Sequence, residues 1–333
     1  MKQLLIILLL TVGILAHGQT IWDDSVMVST ETGLWSGVQV PKDSDIDFTF
    51  RYGSITSENT SGYLLMSGDE APHSYNNNLD GQQITGSQFL WRGVDGPNVI
   101  THGIFVGYNV DYDITYNFID NVPYGVVTKS GEDDGSSMSI TSGGVYYNVF
   151  RNSKIAVLAK GIRGARIYNN SFFSSYHWSE THGTTDRALI RIARNQDRTG
   201  NPDSDSAKIY NNVFYVTDSI LPIRVESACM DGFECDYNVY IYDQYPPHFD
   251  SLGYLTVDPS DSHEPISFED WQDAGYDEHS VAIHVDDLAE YRYTIDTSTM
   301  QPNMAMGFGT DLGTDYNTGM ALDASWTHGE APS

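Results

Sequence analysis

A short motif recurs five times along the middle of the chain: a Tyr, then one or two Asn, then a short strand that contains an aromatic residue. This motif limits the possible folds more than any other feature of the sequence. The copies begin at Tyr116, Tyr147, Tyr168, Tyr210 and Tyr237. The last Asn of successive copies lies 31, 22, 42 and 26 residues further along, which predicts a basic coil of about 22 residues with insertions in some coils. Because so short a coil cannot bury its own apolar face, successive coils must stack.

The repeat predicts an all-β fold: a single-stranded right-handed parallel β-helix with an N-terminal cap and an irregular C-terminal extension. Tyr, Val, Ile, Thr, Gly, Asn and Asp are abundant, as in short strands joined by tight turns. We expect residues 19–85 to form the cap and first coils, 86–258 the β-helix core and 259–333 a capping extension. The recurring Asn is expected to form a ladder at a turn, because Asn tolerates left-handed backbone and its amide can bond to the next coil.

Residues 1–18 have the pattern of a cleavable signal peptide, with a positive residue, an apolar run and small residues at the end. We therefore expect a mature chain that begins at Gln19, is secreted or periplasmic and has no membrane span. In such a location Cys229 and Cys235 either form a disulfide or remain two buried thiols. Ser267 is placed to cap a short helix near the other end of the chain.

Basic residues are concentrated in one part of a strongly acidic chain. The formal net charge is −28, which argues against nucleic-acid binding. Twelve of the 17 Lys and Arg residues nevertheless lie between Lys129 and Arg224. A cationic surface on an acidic protein fits an anionic partner, such as a polymer that carries carboxylates or sulfates.

Three of these cations occupy the same place in different copies of the repeat. Lys129, Lys160 and Arg224 each follow the last Asn of a motif by twelve residues, and Arg191 or Arg194 is expected to fill that place in the coil between. Alternation of apolar and polar residues puts the cations on the outward face. Cations one coil apart are separated by about 4.8 Å, so they predict a column that binds an anionic polysaccharide. The alternative is a set of exposed cations paired with nearby acidic side chains.

One coil earlier, the segment from His102 to Gly107 aligns with the segment from Tyr124 to Lys129. This alignment places His102 and Tyr124 next to each other beside the cations, where either side chain could transfer a proton. Tyr146 is a candidate wall for a sugar ring. The alternative for His102 and Tyr124 is the structural role that a lone His or Tyr more often has, and the alternative for Tyr146 is ordinary packing.

The segments 127–130 (Val-Thr-Lys-Ser), 159–161 (Ala-Lys-Gly) and 167–172 (Ile-Tyr-Asn-Asn-Ser-Phe) give the chain a resemblance to a known family. Over about residues 95–245 it resembles the β-helical polysaccharide lyases of the chondroitinase B and alginate lyase type.

The resemblance implies that Lys129 is a catalytic base and that an Arg one coil later assists at the leaving oxygen. Lys160 stands at the second position in this chain, with Arg163 three residues further on. The calcium-binding carboxylates of that group precede the Lys, and residues 122–124 (Val-Pro-Tyr) stand there instead. We therefore expect no calcium site of that kind and no cofactor.

The predicted function is β-elimination on a uronate-containing, alginate-like polysaccharide by a monomeric enzyme. Cations that neutralise the uronate carboxylate stabilise the intermediate, a role suited to Lys160, Arg191, Arg194 or Arg224. One alternative is a carrageenase-like glycoside hydrolase on the same scaffold, which would need two carboxylates. The candidate carboxylates for that reaction are Glu132, Asp133, Asp134, Asp186 and Glu226. The other alternative is a glycan-binding protein without catalytic activity.

Overall fold

The structure is a computed structural model, and it describes seventeen stretches of the chain. These are residues 20–23, 26–29, 38–39, 48–58, 61–67, 79–93, 100–107, 110–129, 139–140, 143–174, 188–195, 204–216, 220–243, 253–256, 266–287, 294–296 and 301–303. The predicted signal peptide, residues 1–18, lies outside them. Within these stretches, no helix is long and apolar enough to cross a membrane.

Short β-strands make up most of the described chain. In chain order they are β1 (Thr20–Asp23), β2 (Val26–Ser29), β3 (Val38–Gln39), β4 (Phe48–Arg51), β5 (Ser54–Ser57), β6 (Ser61–Ser67), β7 (Leu79–Thr85), β8 (Gln88–Trp91), β9 (Ile100–Gly107), β10 (Val110–Thr115), β11 (Phe118–Asp120), β12 (Tyr124–Lys129), β13 (Ser139–Ile140), β14 (Gly144–Tyr146), β15 (Val149–Arg151), β16 (Ile155–Lys160), β17 (Ile162–Arg163), β18 (Arg166–Tyr168), β19 (Ser171–Ser174), β20 (Ala188–Ala193), β21 (Lys208–Tyr210), β22 (Val213–Val216), β23 (Leu221–Glu226), β24 (Glu234–Asp236), β25 (Val239–Tyr242), β26 (Gly253–Thr256), β27 (Val281–His284), β28 (Thr294–Asp296) and β29 (Gln301–Asn303). The helical elements are α1 (Phe268–Asp273) and two 3-10 turns (Ser227–Cys229 and Val285–Asp287).

Successive strands are distributed over three parallel sheets. Sheet A has the order β1-β4-β7-β10-β14-β18-β21-β24, sheet B the order β2-β5-β8-β11-β15-β19-β22-β25-β27, and sheet C the order β26-β23-β20-β16-β12-β9-β6-β3. Two small pairs lie apart from these sheets, β13 with β17 and the antiparallel β28 with β29. The prediction of an all-β fold with mostly parallel strands is confirmed, and the arrangement is compatible with a parallel β-helix. Strands β1 to β7, which lie in the region expected to form the cap and first coils, belong to the same three sheets.

Apolar side chains from all three sheets fill the interior. On sheet B, Phe150, Phe172, Phe214 and Tyr240 stack in sequence, with ring centroids 5.0, 4.8 and 5.0 Å apart. Branched aliphatic side chains from the other two sheets pack against this aromatic stack and are almost fully buried. Each coil therefore buries its apolar face against the next coil, as the short repeat requires.

The five motif Asn residues form the predicted ladder at the turn between sheets A and B, and all five are buried. In each step one Asn donates twice to the side-chain oxygen of the next. Asn148, for example, donates from its backbone nitrogen at 2.9 Å and from Nδ2 at 3.1 Å to Oδ1 of Asn170. Ser87 donates its backbone N–H to Asn117 at one end, and Asn238 donates to Oγ of Ser280 at the other. The ladder thus pairs its buried amides across coils from Ser87 to Ser280.

The left-handed backbone at this turn lies one residue earlier than we expected. Tyr116, Tyr147, Asn169, Asn211 and Tyr237 immediately precede the ladder residues and have φ values of 56° or 57°. The ladder Asn itself is not in that conformation, so this part of the prediction is wrong. A Tyr in left-handed backbone costs about 1–2 kcal/mol. Stacking of the Tyr116 and Tyr147 rings, 5.1 Å apart, offsets part of that cost.

Helix α1 and the turn after it close the C-terminal end of the sheets. Ser267 caps α1 as predicted, because its side chain accepts a hydrogen bond from the Asp270 N–H at 3.0 Å. Asp277 is fully buried beyond the helix and accepts hydrogen bonds from Trp271 Nε1 and the Tyr240 hydroxyl, both at 2.8 Å. A buried carboxylate bound by donors from the last coil and from α1 holds the two together.

Cys229 and Cys235 are both buried, and neither is part of a disulfide. The Sγ of Cys229 accepts a hydrogen bond from the Ser204 N–H at 3.3 Å, whereas Cys235 Sγ donates to Asp277 at 3.0 Å. The thiols therefore have different partners, and the structure has two buried thiols rather than a disulfide.

Candidate functional site

Lys129 and Lys160 lie side by side on the outward face of sheet C. They are the last residues of β12 and β16 and are paired across these strands, and Gly107 of β9 is the next residue in the row. Both lysines are partly exposed, whereas Val126 and Thr128 of the same strand are buried. The prediction that the two lysines occupy equivalent places one coil apart is confirmed. Parallel pairing at this position brings their backbones to about 4.8 Å.

Arg191 and Arg224 form a second row on the same face, two residues nearer the start of their strands. Arg191 is paired with Leu158 on one side and with Arg224 on the other, whereas Lys160 is paired with Ala193. The predicted single column is therefore wrong, because neither arginine is in register with the lysines. The chain from the ladder Asn to sheet C is two residues longer in the coil of Arg224. A shift of two residues along the strand moves Arg224 to another row of outward side chains, and because side chains alternate between the two faces, it stays on the outward face.

A single carboxylate, that of Glu226, holds two arginines of this face. Its Oε1 lies 3.1 Å from Arg191 Nη2, and its Oε2 accepts a hydrogen bond from the Arg194 backbone N–H at 3.1 Å. Arg194 Nε lies 3.6 Å from the same oxygen. Because Glu226 is buried, these charge-assisted contacts fix the directions of both arginine side chains. In the described part of this face, Glu226 thus contacts two of the five cations.

An aromatic cluster lies on this face next to the lysines. The His102 ring lies between Tyr63 and Tyr124, with ring centroids 5.1 Å away on each side, and Phe105 packs against it from the same strand. His102 Nδ1 lies 3.3 Å from the carbonyl oxygen of Gly62. A ring nitrogen that donates to a carbonyl carries the hydrogen, so Nε2, on the other side of the ring, carries the lone pair.

The electrostatic surroundings of His102 favour the neutral imidazole. Its pKa is lowered from 6.5 to about 4, mainly because burial disfavours the charged ring and also because of the positive charges of Lys129 and Lys160. The hydrogen bond to Gly62 acts in the opposite direction. At neutral pH the side chain is therefore an uncharged base near two cations. The structure thus brings His102, Tyr124 and both lysines into one area.

Arg163 and Tyr146 lie elsewhere. Arg163 belongs to β17, outside sheet C, and its Nη2 lies 2.8 Å from Asp205 Oδ2. Tyr146 belongs to sheet A, where its buried ring packs against Tyr168 with centroids 5.6 Å apart. The structure therefore does not bring these two predicted substrate-binding residues to the face that carries the lysines.

Most of the alternative catalytic carboxylates lie outside the described residues. These are Glu132, Asp133, Asp134 and Asp186, so Glu226 is the one for which the structure gives contacts. Within the part of the chain that the structure describes, no group of three or more His, Cys, Asp and Glu residues could hold a metal ion.

Two residues of the aromatic cluster were missed by the sequence analysis. Tyr63 is paired with His102, and Phe105 is paired with Val127. Tyr63 belongs to a coil that lacks the Asn motif, so the repeat gave no register for it. The sequence signal for Tyr63 was an aromatic side chain at the same position of the sheet C strand in three successive coils, namely Tyr63, His102 and Tyr124.

A scan against models of protein families finds no match, and a search of curated proteins finds none either.

Proposed function

We propose that the protein is a secreted, monomeric lyase that cleaves a uronate-containing, alginate-like polysaccharide by β-elimination. The observation that carries this proposal is the outward face of sheet C. There Lys129 is in register with Lys160, and Arg191 is in register with Arg224. The neutral His102 lies close enough for the charges of both lysines to lower its pKa. Rows of cations one coil apart suit a polymer with an anion on each sugar unit.

β-Elimination needs a positive surface and a proton acceptor together. The reaction removes the weakly acidic proton beside the uronate carboxylate and then expels the oxygen on the next carbon. Lys129 and Lys160 neutralise the carboxylate and so stabilise the enolate-like intermediate, while the partly exposed Arg191 binds a neighbouring anion. Arg224 is buried beneath this face and contributes positive charge to it. The resemblance to polysaccharide lyases places Lys129 at the position of the base, and His102 and Tyr124 are the other proton-transfer groups on this face.

The proposal includes the finer features of the fold. We take the three parallel sheets to form a single-stranded right-handed parallel β-helix, because connections between parallel strands have that hand in nearly all proteins. The reaction needs no metal or other cofactor, since the cations do the work that a metal does in other lyases. The large negative charge elsewhere on the chain keeps nucleic acid from competing for this face.

The hydrolase alternative depends on a carboxylate that can act as an acid or a nucleophile. Glu226 lies on the correct face, but it is buried and engaged by Arg191 and Arg194. A carboxylate in this position orients the two arginines and is screened from a sugar by them. We therefore assign Glu226 a positioning role.

The positioning role predicts the effect of Glu226→Gln. Loss of the charge loosens Arg191 and Arg194, so KM for the polymer rises about tenfold while kcat changes little. Steady-state kinetics on the best substrate measure both values. Glu234→Gln is the matched control, because Glu234 pairs with Lys208 on sheet A, and it leaves both constants unchanged. A loss of kcat of roughly a hundredfold or more with KM unchanged contradicts the positioning role and favours a hydrolase.

A panel of polymers tests the proposed function against both alternatives. Purified protein is incubated with polyuronates and with sulfated galactans, and two products are followed: absorbance of the new double bond and new reducing ends. We expect both to appear together on a polyuronate. Reducing ends without the absorbance indicate a hydrolase, and retention of the polymer without either product indicates a glycan-binding protein.

A further inference from the structure

We infer that His102 removes the proton in the elimination and that Tyr124 delivers a proton to the leaving oxygen. This inference rests on the proposed function and deepens it, because it moves the base from the lysine implied by the family resemblance to an imidazole. It leaves Lys129 and Lys160 as the groups that hold the carboxylate.

The first support is the orientation of the ring. Tyr63 and Tyr124 contact His102 on its two sides, and the Nδ1–H bond to the Gly62 carbonyl fixes its rotation. These contacts leave Nε2 as the basic atom, on the side of the ring away from Gly62. A base whose position is fixed before the substrate binds needs no rearrangement in the transition state.

The second support is the division of charge on the face. A base must be unprotonated at the working pH, and the group that must neutralise a carboxylate has to be positive. Lys129 and Lys160 act on His102 as positive charges, whereas His102 is neutral. The titratable side chains that contact the imidazole are Tyr63 on β6 and Tyr124 on β12, and the charges of Lys129 on β12 and Lys160 on β16 also act on it. Within the described residues no carboxylate faces the ring, so the uronate supplies the negative charge.

The step balances without another reactant. The carbon–hydrogen bond beside the carboxylate breaks, the proton goes to His102 Nε2, and the electron pair is held in the enolate-like intermediate. This pair then forms the carbon–carbon double bond as the bond to the leaving oxygen breaks, and that oxygen takes the proton of the Tyr124 hydroxyl. Transfer of the proton from the imidazolium of His102 to the phenolate of Tyr124 then restores both side chains. The centroids of the two rings are 5.1 Å apart, so the groups are neighbours.

Kinetics of variants test this inference directly. We expect His102→Ala to lower kcat by at least about a hundredfold with KM changed less than about threefold, and imidazole added to the solution to restore part of the rate. Tyr124→Phe is expected to lower kcat by a similar factor. His279→Ala is the matched control, because His279 is exposed and pairs with Asp236 on sheet A, and it keeps the wild-type rate. A His102→Ala enzyme that keeps its kcat within about threefold overturns the inference.

The pH profile distinguishes His102 from Lys129 as the base. If His102 is the base, kcat/KM of the wild type has its full value well above pH 4 and falls as the pH drops through about 4. The reason is that the imidazole of the free enzyme must be neutral to accept a proton. In the enzyme–substrate complex the uronate offsets the lysine charges, so the acid limb of kcat moves to higher pH. A rate that instead rises through the alkaline range, where lysine loses its proton, overturns the inference.

A measurement that needs no catalytic turnover separates failure of this inference from failure of the proposed function. Nitrogen NMR of labelled wild-type protein is expected to show the hydrogen of His102 on Nδ1 and titration near pH 4, and binding of a uronate oligomer raises that pKa. Titration near the ordinary value of 6.5, or the opposite tautomer, overturns the role of His102 even in an active lyase. Absence of unsaturated product from every polyuronate, with the expected NMR result, overturns the proposed function instead.

Discussion

Asn170→Leu is expected to destabilise the protein by about 3–5 kcal/mol. Asn170 is the central member of the ladder, and Leu has nearly the same volume but cannot form hydrogen bonds. The change leaves the backbone N–H of Asn148 without its acceptor, removes one of the three acceptors of Asn148 Nδ2, and takes from the Val145 carbonyl the side-chain donor of Asn170. Because these groups are buried, water cannot replace the lost partner. Urea unfolding followed by tryptophan fluorescence measures the effect as a lower midpoint.

The control for the ladder replaces an exposed amide with the same apolar side chain. Gln83 is exposed on sheet A, so Gln83→Leu is expected to change the free energy of unfolding by less than about 0.5 kcal/mol. If Asn170→Leu unfolds at the same urea concentration as the wild type, the ladder does not hold the coils together as described.

Replacing both Lys129 and Lys160 with Ala is expected to lower kcat/KM on a polyuronate by at least about a thousandfold. Removal of one preorganised electrostatic group from an active site costs roughly 100- to 1,000-fold, and here two adjacent charges that face the same carboxylate are lost. The fold is expected to persist, because both side chains are partly exposed at the ends of their strands and repel each other. Initial rates of double-bond formation and a thermal melt measure the two effects separately.

Lys208→Ala is the matched control for the lysine pair. Lys208 is a partly exposed lysine on sheet A, where its Nζ lies 2.8 Å from Glu234 Oε1, so its removal leaves the rate unchanged. An increase of the His102 pKa in the double lysine variant is a second expected result, because the two charges that lower it are gone. A double variant that keeps its rate within about tenfold of the wild type contradicts the role of these charges.

The repeat was sufficient to predict the parallel coils because each copy places the same residue types in the same physical environment. An Asn that is buried at a turn needs a partner for its amide, and the next coil supplies that partner at the same position. Ser87 and Ser280 fulfil this role at the two ends with a hydroxyl, because their Oγ atoms accept hydrogen bonds from the backbone N–H groups of Gly53 and Asn238. The similar segments 84–89 and 114–119, both beginning Ile-Thr, contained the signal for Ser87.

The register of the arginines could not be predicted by counting from the ladder. The count assumes that every coil needs the same number of residues between the Asn and sheet C, which holds for Lys129 and Lys160 but not for Arg224. Turn length can change by two residues without exposing any core side chain, because the strand period is two. Burial therefore fixes which face a residue occupies but does not fix its row.

The charge state of the site depends on packing that lies outside the repeat. His102 and Tyr124 were chosen from the alignment of two strands, and the structure does place them next to each other. The neutral state of His102 follows from its burial and from the approach of two lysine charges. These are three-dimensional properties with no pattern in the sequence. Arg163 illustrates the same limit, because its partner Asp205 is distant along the chain.

The central claim is that the sheet C face cleaves a polyuronate by elimination, and mass spectrometry of the products of a defined uronate oligomer tests it most directly. Elimination divides the oligomer into two fragments whose masses sum to that of the starting chain, and one of the fragments ends in an unsaturated uronate. We expect this result from the wild type and its loss in the Lys129→Ala, Lys160→Ala double variant. Fragments whose masses sum to that of the starting chain plus one water contradict the claim, because hydrolysis is then the reaction.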